Sequence, residues 1–198
     1  MSLTAVPAPV HQCGPLHWGL LPQAPRTPAE PAARAWLAAQ LAVPATSLSL
    51  PRDSRGRPQL DGAFARLDCN WSHSGEYLLV ALGDGVRVGV DLERQRARPR
   101  ALALAQRFFT ASEGAWLAAQ PEAERDAAFA RLWCAKEAVL KAHGHGLSFG
   151  LDRLRFAEHD ARLVLVDCDA ALGVAADWTL QELAPAPGYV GALAWRAP

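Results

Sequence analysis

The chain has 198 residues, 51% hydrophobic and 20% charged, enough for one large domain or two small ones and without the composition of a disordered tail. Twenty basic residues balance twenty acidic ones, so no overall field draws it to nucleic acid and any anion site must be a local cluster. No apolar run approaches the ~20 residues that span a bilayer, and residues 1–9 lack the basic start and apolar core of an export signal.

Residues 1–30 are rich in Pro, Gly and Ala, with little periodicity beyond an apolar stretch at 16–21. A helix is predicted at 31–41, where Pro31 suits the first turn and Ala35, Leu37, Ala38 and Leu41 recur at helical spacing. A short strand at 46–50 and a loop at 51–58 follow. Residues 70–75 (NWSHSG) read as a polar turn ahead of a strand. Segments 77–82 and 86–92 flank Gly83-Asp84-Gly85 and predict a β-hairpin. Helices are expected at 100–109, at 112–119 with Ser112 as the cap, and at 122–143, stopping at Gly144. Strands return at 154–157, 163–167, 178–182 and 189–195. This order predicts two α+β halves, 1–95 and 96–198. Cys13, Cys69, Cys134 and Cys168 have no CxxC spacing and read as free, buried thiols of a cytoplasmic protein.

On the second hairpin strand, alternation points Asp91 and Glu93 the same way, about 6.6 Å apart along the chain. Two carboxylates so placed can converge on a hard cation such as Mg²⁺. By themselves they fit the wet face of a hairpin better. The long helix alters that balance. Phe129, Leu132, Trp133, Val139 and Leu140 define an apolar face, with Lys136 near its centre, Glu137 on its edge and Lys141 beyond. A lysine among buried apolar groups is costly unless an anion holds it or it snorkels to water. Glu137 and Lys141, one turn apart, also fit a surface ion pair. Arg52, Arg55 and Arg57 cluster beside Gly56, and guanidinium forks suit phosphate.

Taken in order, Gly56-Arg57-Pro58, Asn70-Trp71-Ser72-His73-Ser74, Gly89-Val90-Asp91-Leu92-Glu93, Arg107-Phe108-Phe109 with Glu113, and Trp133-Cys134-Ala135-Lys136-Glu137-Ala138 with Lys141 resemble the 4'-phosphopantetheinyl transferase superfamily. The length resembles its longer, surfactin-synthetase-associated type. That implies an α+β fold of two similar halves packed as an intramolecular pseudodimer, each with a small, mainly antiparallel sheet and a long helix. It implies a cytoplasmic, monomeric enzyme that moves the phosphopantetheine arm of coenzyme A to a serine of an apo acyl or peptidyl carrier protein. Neither nucleic acid nor membrane is an expected partner. The resemblance further implies Mg²⁺ on Asp91, Glu93 and Glu137, with Glu137 as ligand, general base or both. Lys136 and Lys141 would stabilise phosphate charge, Ser72 and His73 would contact phosphate, and Arg57 and Arg52 would hold the adenosine end. Glu113 matches an acidic position near the metal. Arg26 and Arg34 are candidates for the 3'-phosphate. The alternatives are a non-catalytic relative that binds coenzyme A or carrier protein, and another Mg²⁺-dependent phosphoryl-transfer enzyme. Lys136→Met is expected to cost activity more than stability, and the long helix is expected to cross the GVDLE strand near its end.

Overall fold

The computed structural model describes residues 9–198, so the expectation about an export signal lies almost wholly outside the described residues. The first half is an antiparallel sheet of β1 (His11–Cys13), β2 (Leu16–Pro22), β3 (Leu67–Ser74) and β4 (Tyr77–Asp84), in the order β1-β2-β4-β3. Helix α1 (Glu30–Gln40), with proline in its first turn, buries Trp36 and Leu37 in one core with Leu78 and Val80. The second half has a sheet of β5 (Arg87–Arg94), β9 (Tyr189–Arg196) and β8 (Thr179–Leu183), and a separate hairpin of β6 (Leu154–His159) and β7 (Arg162–Cys168). Helices α2 (Ala101–Phe108), α3 (Ala111–Ala119) and α4 (Glu122–His143) build its core. The fold is α+β, two α/β halves with small antiparallel sheets. The helix of the first half has 11 residues against 22 in α4. Leu16, Leu79 and Ala81 of the first sheet meet Val88, Val90, Leu92 and Leu193 of the second in a core of their own.

Several expectations are corrected. The predicted hairpin does not form: both edges of β4 are taken by β2 and β3, and β5 crosses to pair with β9. Gly85, with φ of 63°, makes the expected turn, but the turn joins two sheets instead of two paired strands. The polar segment 70–74 is part of strand β3, and only Gly75 (φ 58°) turns the chain. The stretch 46–50 holds a 3₁₀ turn, Ala45–Ser47. The apolar 16–21 stretch is strand β2. Helix α3 is capped by Thr110, not Ser112, in a reciprocal capping box with Glu113. Helix α4 ends as expected, with Gly144 left-handed at φ 92°. All four cysteines are free, but only Cys69 and Cys134 are buried. No helix among the described residues is long and apolar enough to cross a membrane.

Helix α4 crosses β5 at Gly89. A Cβ there would lie 2.0 Å from the Ala138 carbonyl oxygen and 2.3 Å from the Ala142 nitrogen, so only glycine lets the two backbones approach this closely. That crossing sets the distance between the acids of the strand and the polar side of the helix.

Candidate active site

Cys134, Glu137 and Lys141, at i, i+3 and i+7, share one side of α4. Lys136 lies about 100° round the axis from Glu137. The first side faces Asp91. Lys141 Nζ donates to Asp91 Oδ1 at 2.6 Å and to Ser72 Oγ at 3.0 Å, and Ser72 Oγ donates its proton to the same Asp91 oxygen at 2.8 Å. Asp91 Oδ2 and Glu137 Oε1 are buried and have no hydrogen-bond partner. Burial first, then the charges of Asp91 and Glu93, push Glu137 up to about 7, against the pull of Lys141. Glu93 is also raised, by burial and by Asp91, although Arg98 holds its Oε2 at 2.8 Å.

Two orphaned, buried carboxylate oxygens, one on β5 and one on the side of α4 that faces it, fit a hard cation. Among the described residues no three His, Cys, Asp or Glu side chains already form a ligand cage. The ammonium of Lys141 sits on Asp91, and Arg98 draws Glu93 aside.

Beside these acids opens a cavity of about 230 Å³, lined by Arg52, Arg55, Arg57, Asn70, Trp71 and Lys141. Arg55 is exposed. Arg52 pairs with Glu30 at 2.5 Å and lies over the Trp71 ring. Arg57 is buried and committed: it donates to Asp68, to the Val88 carbonyl at 2.7 Å and to the Lys141 carbonyl at 2.6 Å. It therefore pins the end of α4 and holds no ligand with those nitrogens. Arg34 is likewise tied to Glu30 and the Leu48 carbonyl.

Not every expected residue joins this cluster. Strand alternation turns His73 to the side opposite Ser72, where it is exposed. Lys136 is fully buried on the other side of α4 and bonds to Glu113 at 2.8 Å, to the Leu151 carbonyl at 2.7 Å and to the Leu154 carbonyl. Its three N–H groups are thus spent. An anion does hold this lysine, but it is Glu113 and not a phosphate. Glu113 in turn accepts from Thr110 and from the Phe156 N–H at 2.8 Å, and bonds to none of the acids it was expected to join. Sequence reasoning singled out Asn70, Ser72 and Ser74 but read them as a turn, and it missed Asp68 and the strand row the four form, whose polar period of two was the available signal. It also missed Cys134, whose thiol is raised by burial and by Asp91 and Glu93.

The family model described as the 4'-phosphopantetheinyl transferase superfamily matches residues 87–194, from the start of β5 almost to the end of β9. The 4'-phosphopantetheinyl transferase HetI of Nostoc sp. is 34% identical over 163 residues, covering 81% of this chain and 66% of its own. The 4'-phosphopantetheinyl transferase psf-1 of Bacillus pumilus is 34% identical over 136 residues, 63% of this chain and 57% of its own. The 4'-phosphopantetheinyl transferase Sfp of Bacillus subtilis is 35% identical over 98 residues, 50% of this chain and 42% of its own. The matches thus span between 42% and 66% of the length of these relatives. With the family match over more than half of its residues, this chain belongs to the 4'-phosphopantetheinyl transferase superfamily.

Proposed function

We propose that this chain transfers the 4'-phosphopantetheine arm of coenzyme A to a serine of an apo acyl or peptidyl carrier protein and releases adenosine 3',5'-bisphosphate. The observation that carries this reading is the pair of buried, unpartnered oxygens, Asp91 Oδ2 and Glu137 Oε1, beside an arginine-lined cavity. Asp91 and Glu137 would hold Mg²⁺, joined by Glu93 on release from Arg98. When bound, the cation neutralises pyrophosphate charge and orients the phosphoryl group.

The chain's own groups do the rest. Lys141, at the cavity edge with its side chain 26% exposed, offers its ammonium to charge developing on the phosphates. Arg52 and Arg55 hold the anionic end of the coenzyme. The serine oxygen bonds the β-phosphorus, the bridging oxygen departs with the adenosine bisphosphate, and the serine proton leaves to a base. Glu137 is the carboxylate proposed to accept that proton, in addition to or in place of its part in holding Mg²⁺.

The cavity draws Asn70 and Trp71 from β3, Arg52 and Arg55 from the loop before it and Lys141 from α4, which supports coenzyme A lying between the two halves. Carrier protein would dock across the mouth of this cleft, with the enzyme a cytoplasmic monomer. The test is turnover. Apo carrier protein, coenzyme A and Mg²⁺ should give carrier with phosphopantetheine mass added at a serine, and chelator should abolish the gain. No gain in mass with Mg²⁺ present would overturn the reading.

A further inference from the structure

Strand β5 is the outer strand of its sheet, with β9 on one side. On the other side β3 runs alongside it, yet the two backbones form no ladder. Side chains of β3 bridge the gap. Asp68 Oδ2 accepts from the Val88 N–H at 2.8 Å, Asn70 Oδ1 from the Val90 N–H at 3.0 Å, and Ser74 Oγ from the Arg94 N–H at 3.0 Å, each pair twenty residues apart. Ser72, between the second and third of these, turns to the Asp91 carboxylate instead. The register of the acid-bearing strand against the first half is thus set by a row of polar side chains.

Asn70 is the rung next to Asp91, and it is 6% exposed. A carboxamide accepts only through its oxygen. Because Oδ1 is spent on Val90, the NH₂ end must point elsewhere, and Asn70 lines the cavity that also holds Arg52, Arg57 and Lys141. We propose that Asn70 is a positioning residue for the acidic site, fixing Val90 and hence Asp91, and that its NH₂ group is a neutral donor to the anion bound in the cavity. The second half of this proposal rests on the reading of the cavity as the coenzyme A site. An aspartate at 70 would keep the Val90 bond but place a carboxylate where the anion lies. A valine would lose both functions.

The experiment compares the wild type, Asn70→Asp and Asn70→Val by amide hydrogen exchange at Val90 and by calorimetry of coenzyme A and Mg²⁺ binding. In Asn70→Val the Val90 amide should exchange about tenfold faster or more while β4 amides stay unchanged, and Mg²⁺ affinity should fall by about tenfold. In Asn70→Asp slow Val90 exchange should persist while coenzyme A affinity falls by about tenfold or more, because a like charge now faces the anion. Unchanged Val90 exchange in Asn70→Val would overturn the positioning role. Unchanged coenzyme A affinity in Asn70→Asp would overturn the donor role. Should Asn70→Val fail to fold, Asn70→Ala, which has no side-chain acceptor, replaces it with the same expected outcomes. If the wild type binds no coenzyme A but Val90 responds as stated, the positioning role is supported and the proposed function is what fails.

Discussion

Lys136 and Glu137 are neighbours on α4, both buried, and they meet opposite circumstances. Lys136 has all three N–H groups satisfied, by Glu113 and two carbonyls, in the core of the second half. Burial lowers its pKa to about 8 while Glu113 works against that shift. Glu137 keeps a bare buried oxygen, as does Asp91, and burial lifts the Glu137 pKa to about 7. Burial of a charge therefore does not mark a site. A buried charge whose partners are missing does, because a fold that tolerates the cost has left room for something else.

The largest expected effect falls on the satisfied side of this contrast. Lys136→Met leaves the Glu113 carboxylate, 2% exposed, without its counter-charge. Breaking such a pair costs about 3–5 kcal/mol, read as a lower urea midpoint. Adding Glu113→Gln should recover part of the loss, since a neutral carboxamide oxygen can still accept from the Phe156 N–H. Turnover per folded molecule should change by no more than a few-fold. This reverses the expectation drawn from sequence, where Lys136→Met was to cost activity more than stability. A large loss of turnover at unchanged stability would return Lys136 to the reacting groups.

Glu137→Gln should do the opposite. Its activity should fall by about 10²–10³, on the order of 3–4 kcal/mol in the barrier. Its stability without divalent cations should rise. A carboxylic acid with folded pKa about 7 against an ordinary 4.5 binds its proton more tightly folded than unfolded. Its stabilising contribution is full below pH 4.5 and is lost as the pH climbs through 7, a difference of about 3 kcal/mol at 1.36 kcal/mol per pKa unit. In chelator, the variant should therefore match the wild type near pH 4.5 and exceed it by up to about 3 kcal/mol at pH 8. Added Mg²⁺ should restore stability to the wild type alone. Equal stability at pH 8 would mean that the Glu137 carboxylate already has a partner.

How far this contrast could be read from sequence depends on what each element packs against. Helix α4 was legible from end to end, because the glycine that stops it, Gly144, is a local signal. The convergence of Asp91, Glu137 and Lys141 followed from the expectation that this helix crosses the GVDLE strand. Strand β3 was not legible. Its alternate residues Asp68, Asn70, Ser72 and Ser74 face a polar seam, so the usual apolar alternation is inverted and a buried strand looks like a turn. The 77–92 hairpin failed for a nonlocal reason: the turn chemistry is present at Gly85, but strand pairing was decided by β2 and β9, which lie far along the chain. Lys136 was read correctly as a buried lysine that needs an anion. Its true partner is 23 residues upstream on another helix, beyond the reach of helical periodicity.

The smallest effect offers the closest test, because each side of α4 has a hydroxyl bonded to a carboxylate. Ser72 Oγ donates to Asp91 Oδ1 at 2.8 Å, and Thr110 Oγ1 donates to Glu113 Oε2 at 2.7 Å. The two bonds have the same chemistry and nearly the same length. Ser72→Ala removes one of two donors to that Asp91 oxygen, Lys141 being the other, so Asp91 loses orientation without losing its charge partner. We expect about a tenfold drop in Mg²⁺ affinity and a similar drop in rate, with stability changed by about 1 kcal/mol or less. Thr110→Ala removes a helix cap as well as the bond, so it should cost about 1 kcal/mol of stability and leave Mg²⁺ affinity where it was. Paired Mg²⁺ titrations and denaturation curves decide between these outcomes. If both hydroxyls moved stability alike and neither moved Mg²⁺ affinity, Asp91 would be held as Glu113 is, as a structural acid, and the two sides of α4 would differ in nothing but solvent access.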